Sequence, residues 1–199
     1  MDLYRSELSQ HFVDTFIKKM EFTENEFNYI VSFFRRQYVP RKYFYLKAGQ
    51  ISMQKAYLNV GSVRTFTMDE RGREHILNFS FEDWWLADFE SYHSGKPGTK
   101  YIQAVEDCEL LCIAKEGLEK LETEIPKLKS LFEIKQKNMI YSTMDRLTEV
   151  KTFTAEERYL NLIKKHPYIF QRIPLQFIAS YLDIEPQSLS RLRKRLSTK

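Results

Sequence analysis

Residues Ile173 to Leu196 read IPLQFIASYLDIEPQSLSRLRKRL, and the reading of this stretch decides the fold. Leu175, Ile178, Ala179 and Leu182 recur at i, i+3, i+4 and i+7. That spacing predicts one apolar face of a short helix, with Pro174 tolerated in its first turn. Asp183-Ile184-Glu185 follows, and Pro186 suits the first position of a second helix. Leu189, Leu192 and Leu196 make the inward stripe of that helix. Gln187, Ser188, Arg191, Lys194 and Arg195 recur at helical spacing on its other side. Two amphipathic helices joined by a three-residue turn follow the helix-turn-helix plan. In that plan the second helix lies in the major groove of DNA, its N-terminal residues toward base edges.

The side chains suit such docking. Arginine pairs bidentately with guanine O6/N7, and glutamine with adenine N6/N7. Gln187, Ser188 and Arg191 are therefore assigned to base reading. Arg193, Lys194 and Arg195 are assigned to phosphates, where they supply affinity and salt dependence rather than sequence choice. The plain alternative is a helical hairpin with a charged, solvated face. The compact turn and the lack of any acid after Glu185 argue against it.

Charge is distributed to match. Of 199 residues, 31 are Lys or Arg and 27 are Asp or Glu, a net +4. Residues 151–199 hold ten basic and four acidic residues, whereas residues 1–150 hold 21 and 23. A basic end on a near-neutral body is the footprint of a phosphate-backbone binder. With 43% hydrophobic and 15% aromatic residues, a disordered or fibrous chain is excluded. No apolar run approaches the ~20 residues of a membrane span, and MDLYRSELSQ has no signal-peptide core, so no membrane partner and a cytoplasmic location are expected. Two cysteines, Cys108 and Cys112, are too few for a four-cysteine metal or iron–sulfur site. Four apart in a predicted strand, they share a face and read as core. No metal site is predicted: His75 and His93 have no pairing pattern that marks ligands. No catalytic residue is predicted, because the P-loop, G-x-S-x-G, H-E-x-x-H and dinucleotide motifs are all absent.

Working toward the N-terminus, Pro126 opens a helix to about Val150, about 37 Å long. It carries Leu128, Leu131, Phe132, Met139, Ile140, Met144 and Leu147. Its stripe needs a cover, either its own barrel or a second copy. Leu118 and Leu121 mark a shorter helix before it. VPRKYFYLKAGQI, KAYLNVGSVRTFTM, REHILNFSF and KYIQAVEDCELLCIA are short aromatic and β-branched runs. Asp69-Glu70-Arg71-Gly72 forms a hairpin turn between two of them. Together they predict a small antiparallel barrel or roll. Ser6 to Phe34 is helical in pattern, with Phe12, Phe16, Ile17 and Met20 on one face and Phe27, Ile30, Val31 and Phe34 on another. The expected class is α+β. The expected units are a sensor domain at 1–125, a long helix at 126–150 and a helix-turn-helix domain at 151–199.

This order resembles the Crp/Fnr family of bacterial transcription regulators, relatives of the cyclic AMP receptor protein. The resemblance covers most of the chain. It is strongest in the run I-A-x-x-L … S-L-S-R-x-R-K from Ile178 to Lys194, and LNVGSVRTFTMDERGREHILNF matches the family's L-x-x-G-x-x-R strand and G-R-E hairpin. It implies a cyclic nucleotide-binding-like roll (a double-stranded β-helix), a homodimer through the long helix, double-stranded DNA with a pseudo-palindromic operator, and RNA polymerase as a further partner. It also implies a phosphate-binding cassette, from which this chain departs. The family's Gly-Glu falls on Ala87-Asp88, its Arg on Gly98 and its hydroxyl residue on Thr99. Asp88 can accept from a ribose hydroxyl, but Gly98 cannot pair with a phosphate. Lys96 and Lys100 offer only point charges. The expected pocket is Asp88, Thr99, Lys100 and Trp85. Trp84, Phe89 and Tyr92 lie beside it, as pocket lining or as core. Cyclic AMP bound in the usual way is not expected; the effector is another small molecule or none, and no cofactor is expected. The sequence ends at Ser197-Thr198-Lys199, where relatives often carry a β-hairpin wing, so a wing is not expected. Asp183 stands where a glycine is common, and Asp tolerates the left-handed conformation better than most residues. Glu185 is a weak N-cap. The competing class is a small-molecule sensor whose C-terminal helices make protein contacts.

Overall fold

A computed structural model describes residues 8, 10–14 and 20–197. Phe16 and Ile17, assigned above to a helix face, and the terminal Thr198 and Lys199 lie outside the described residues. The fold is α+β. Short helices α1 (Gln10–Val13) and α2 (Glu24–Ser32) precede eight strands: β1 (Phe34–Val39), β2 (Phe44–Leu46), β3 (Gln54–Val60), β4 (Val63–Met68), β5 (Glu74–Ser80), β6 (Trp85–Leu86), β7 (Tyr101–Ala104) and β8 (Cys108–Ala114). Helix α3 (Phe89–Ser94) lies between β6 and β7. Among the described residues these form two four-stranded antiparallel sheets, ordered β1-β8-β3-β6 and β2-β7-β4-β5. Helices α4 (Lys115–Glu124), α5 (Pro126–Thr152), α6 (Ala155–Lys165), α7 (Ile169–Arg172), α8 (Leu175–Tyr181) and α9 (Pro186–Ser197) complete the chain.

Strand alternation explains the layers. On β8, Cys108, Leu110 and Cys112 face the roll interior with Val39, Leu46, Leu58, Val63 and Ile102, while Leu111 and Ile113 face the helices. Both faces are covered, so Leu110 to Ile113, LLCI, reads as a continuous apolar run. Outside the first sheet, Phe12, Phe27, Ile30, Leu118, Leu121, Leu128 and Phe132 form a helical layer. Outside the second sheet, Phe66, Ile76, Phe79 and Val105 share one core with Tyr159, Leu162, Ile169, Ile178, Leu182, Leu189 and Leu192. The C-terminal helices are thus packed on the roll. Between β3 and β4, Gly61 has φ +102°, and a Cβ there would lie 2.6 Å from the Asp107 carbonyl oxygen, so only glycine fits.

Three expectations need correction. Phe34 begins β1 rather than ending a helix, so the change to strand comes ahead of the run VPRKYFYLKAGQI. Its burial in the α2 layer makes it fit the helical spacing of Phe27, Ile30 and Val31. The run KYIQAVEDCELLCIA is two strands in different sheets, broken at Val105-Glu106-Asp107. Leu175 is 37% exposed, unlike Ile178, Ala179 and Leu182, which are fully buried. The 69–72 hairpin is as read: Asp69 N–H donates to Arg73 O (3.0 Å), and Gly72 has φ +74°.

Helix α5 runs 27 residues, and its first two turns bury Leu128, Leu131 and Phe132. Further on it leaves the roll. Ile140 (47%), Met144 (60%) and Leu147 (52%) are exposed at i, i+4 and i+7. The barrel therefore covers only the beginning of its stripe. Among the described residues no helix is long and apolar enough to cross a membrane.

Candidate nucleic-acid interface

The helix-turn-helix forms as the spacing predicts. The Ile184 N–H donates to Ala179 O (3.1 Å), reaching back over the end of α8, and the Asp183 N–H donates to Ser180 O (3.1 Å). Asp183 takes the left-handed conformation at φ 53°. Leu189 and Leu192 are buried and Leu196 is partly covered, while Gln187, Ser188, Arg191, Lys194 and Arg195 are exposed. These five occupy one side of α9, because residues at i, i+3 and i+4 lie above one another. Arg193 stands apart from them: its guanidinium lies 4.6 Å from the Phe170 ring centroid on the helix flank. Thr154, Ala155 and Glu156 at the start of α6 face α9 across a groove of about 540 Å³, whose far wall includes Ser188, Arg191 and Arg195.

Several arginines hold this head together, and the sequence reading missed them. Arg158 of α6 donates through Nε (3.2 Å) and Nη2 (3.0 Å) to Leu182 O, capping the end of α8. Arg146 of α5 donates to Tyr181 O and stacks on its ring (3.7 Å to the centroid). Arg172 reaches the roll, donating to Glu82 (2.8 and 2.7 Å) and to Glu106 (3.1 and 2.5 Å). Arg64, 4% exposed, pairs with Glu74 and lies 3.9 Å from the Phe177 centroid. Ser180 Oγ donates to Glu74 O and accepts from the Ile76 N–H. Apart from Glu74, ten residues from Arg64, these hydrogen-bond partners lie between 24 and 106 residues away, so no local pattern announces them. The signature Thr-x-x-Glu, not used above, could have located two helix starts, at Thr23 and Thr154, where both capping boxes form.

The expected effector pocket is closed. Asp88 is 1% exposed, caps α3 and accepts a 2.8 Å hydrogen bond from Lys100 Nζ. Burial raises the Asp88 carboxyl pKa, but Lys100 outweighs it and holds the group below the usual carboxylate range. A Cβ built on Gly98 would overlap the Asp88 carboxylate, so the Gly98 backbone is packed directly against the Asp88 side chain and leaves no room there for a larger residue. Thr99 is exposed. Trp85 points elsewhere: it packs on Phe34, Tyr57 and Phe132 at 6.1, 5.6 and 4.8 Å between centroids, in the helical layer. The four residues do not converge on one cavity. Tyr92 is buried, consistent with core, while Trp84 is 37% exposed near His166. His75 pairs with Asp69 at 3.1 Å on the exposed hairpin.

This arrangement of roll, long helix and helix-turn-helix head is the Crp/Fnr fold. No protein-family model matches the sequence, and no curated protein matches it. Solved structures match it well. The c-di-GMP-responsive global regulator CLP of Xanthomonas campestris superposes with a TM-score of 0.71 at 16% identity, over 88% of this chain and 92% of that one. FixK2 of Bradyrhizobium japonicum gives 0.70 at 16% identity, over 83% and 85%. A putative Crp/Fnr regulator from Eubacterium rectale gives 0.69 at 14%, over 92% and 86%.

Proposed function

We propose that this chain is a DNA-binding transcription regulator of the Crp/Fnr type, which reads a pseudo-palindromic operator as a homodimer through α9. The observation that carries the reading is α9 itself. One side is locked into the shared core, and the other presents Gln187, Ser188, Arg191, Lys194 and Arg195 to solvent with no acidic residue on the helix. The likeness to regulators such as CLP and FixK2 favours the same use. The bare stripe Ile140, Met144 and Leu147 on α5 supports pairing with a second copy, which would set two reading helices on successive turns of the duplex. The closed cassette favours a protein that binds DNA without cyclic AMP. No catalytic step belongs to this reading.

Selection of bound sequences from a random duplex library, without added ligand, tests it. The expected product is a two-fold symmetric motif. A motif recovered only with an added metabolite would make the roll a gate, and recovery of none in either condition would favour protein contacts by the C-terminal helices. The dimer has its own test. Glutamates at Met144 and Leu147 put charge into an apolar contact. Sedimentation equilibrium should show a dimer for the wild type and a monomer for Met144→Glu/Leu147→Glu, with operator affinity falling in parallel. A monomeric wild type would remove this part of the reading.

A further inference from the structure

We propose that Glu156 sets the strength with which the reading head grips the DNA backbone, by holding Arg195 and placing a carboxylate beside the phosphate path. The inference rests on the DNA-binding reading and deepens it.

Glu156 stands in the first turn of α6, yet it takes no part in capping that helix. Thr154 and Glu157 form the capping box, with Glu157 accepting from the Thr154 N–H at 2.8 Å. The Glu156 carboxylate turns instead to α9, 39 residues further on, and accepts a hydrogen bond from Arg195 Nη2. The ion pair is on the surface: the Arg195 side chain is 61% exposed and that of Glu156 37%. It lines the same groove as Ser188 and Arg191. On the DNA-facing side of the head, a negative charge is thus set among the cations that would meet phosphate. A phosphate approaching Arg195 competes with a carboxylate already in place and is repelled by it. The effect concerns the backbone and is blind to base sequence. Because operator and non-specific duplex are affected alike, the ratio of the two affinities stays the same, and what the pair sets is the absolute grip on DNA and its salt dependence.

The test measures binding of the full-length protein to an operator obtained by selection and to a random-sequence duplex, by fluorescence anisotropy across a potassium chloride series. Glu156→Gln should bind both duplexes about two- to fivefold more tightly at low salt, the range of an exposed charge pair. Its log–log salt slope should steepen by about 0.9, as one more cation becomes available to a phosphate. Arg195→Gln should cost more affinity in the Glu156→Gln background than in the wild type. Glu156→Ser, a small residue with no charge, should show the same gain, and thermal melts should show both variants folded. Unchanged or weaker binding by folded Glu156→Gln and Glu156→Ser, beside a wild type that binds, overturns this inference alone. A folded wild type that binds neither duplex overturns the DNA-binding reading and this inference with it.

Discussion

Replacing Arg191 with alanine should weaken operator binding by roughly 1–3 kcal/mol, about five- to 150-fold, and leave a random duplex much less affected. Arg191 is exposed on the second turn of α9, one turn beyond Gln187 and beside Ser188 on the same side of the helix. A long 3.5 Å hydrogen bond from Nε to the Gln187 carbonyl holds it loosely, so the guanidinium fork is available to a base edge. An alanine here keeps the helix, because Leu189 and Leu192 hold the inner face and alanine has the best helix propensity. The lost energy is then recognition energy. Lys194→Ala is the contrast. It removes a point charge, so both duplexes should weaken alike and the salt slope should shrink by about 0.9. The two substitutions must therefore differ in kind. Equal losses on operator and random duplex for Arg191→Ala would make Arg191 a phosphate contact.

The reading helix was legible in the sequence because its two faces are chemically distinct. Leu189, Leu192 and Leu196 repeat against a field of polar and cationic residues, and a turn of three residues leaves little freedom in how α8 and α9 meet. The strands were legible from β-branched and aromatic runs, and the two cysteines from their even spacing on β8. Geometry adds what the spacing left out. Arg193 belongs to a contiguous basic run, but each step along a helix turns 100°, which carries it to the flank over Phe170. Trp84 lies just before β6 and Trp85 begins it, and the two rings go to different neighbours: His166 for Trp84, Phe34 and Phe132 for Trp85. The cassette reading set Gly98 at the position of the family's arginine, from the sequence alone. What it did not show is that Lys100 already occupies Asp88, since a pairing across twelve residues and two elements has no sequence signature.

The docking of the head on the roll was the least legible feature, and Arg172 offers the largest test of it. Arg172→Ala is expected to destabilise the protein by about 2 kcal/mol at neutral pH, lowering Tm by about 4–8 °C. The arginine ends α7 and spans two carboxylates of the roll, Glu82 before β6 and Glu106 between β7 and β8. Glu82 also accepts from the Gly61 N–H at 3.0 Å, so the clamp ties the head to the β3–β4 turn. Removing the cation leaves two acids near each other with nothing to neutralise them. The side chains are 27% to 37% exposed, so water screens part of this, and the loss stays well below the cost of breaking a fully buried pair. Arg172→Lys should recover only part of the loss, because an ammonium cannot present a planar fork to two carboxylates. The pH dependence has a definite sign. Burial raises the pKa of both acids, but hydrogen bonds from Arg172 outweigh it, together with the Gly61 N–H at Glu82 and Ser62 at Glu106. Both end below their ordinary value of 4.5. A lowered folded pKa stabilises above the unfolded value and is lost as pH falls through the folded one. The Tm gap between wild type and Arg172→Ala should therefore be constant near neutrality and close below about pH 4. A gap that persists into acid would assign the loss to the stacking of the guanidinium on Phe81, 5.1 Å away, rather than to the two acids. The apolar layer of Phe66, Ile76 and Phe79 against Ile178 and Leu182 remains in the variant, so the head should loosen on the roll rather than separate from it. Operator affinity should then fall more than affinity for a random duplex, because only the operator requires two heads held at a fixed spacing.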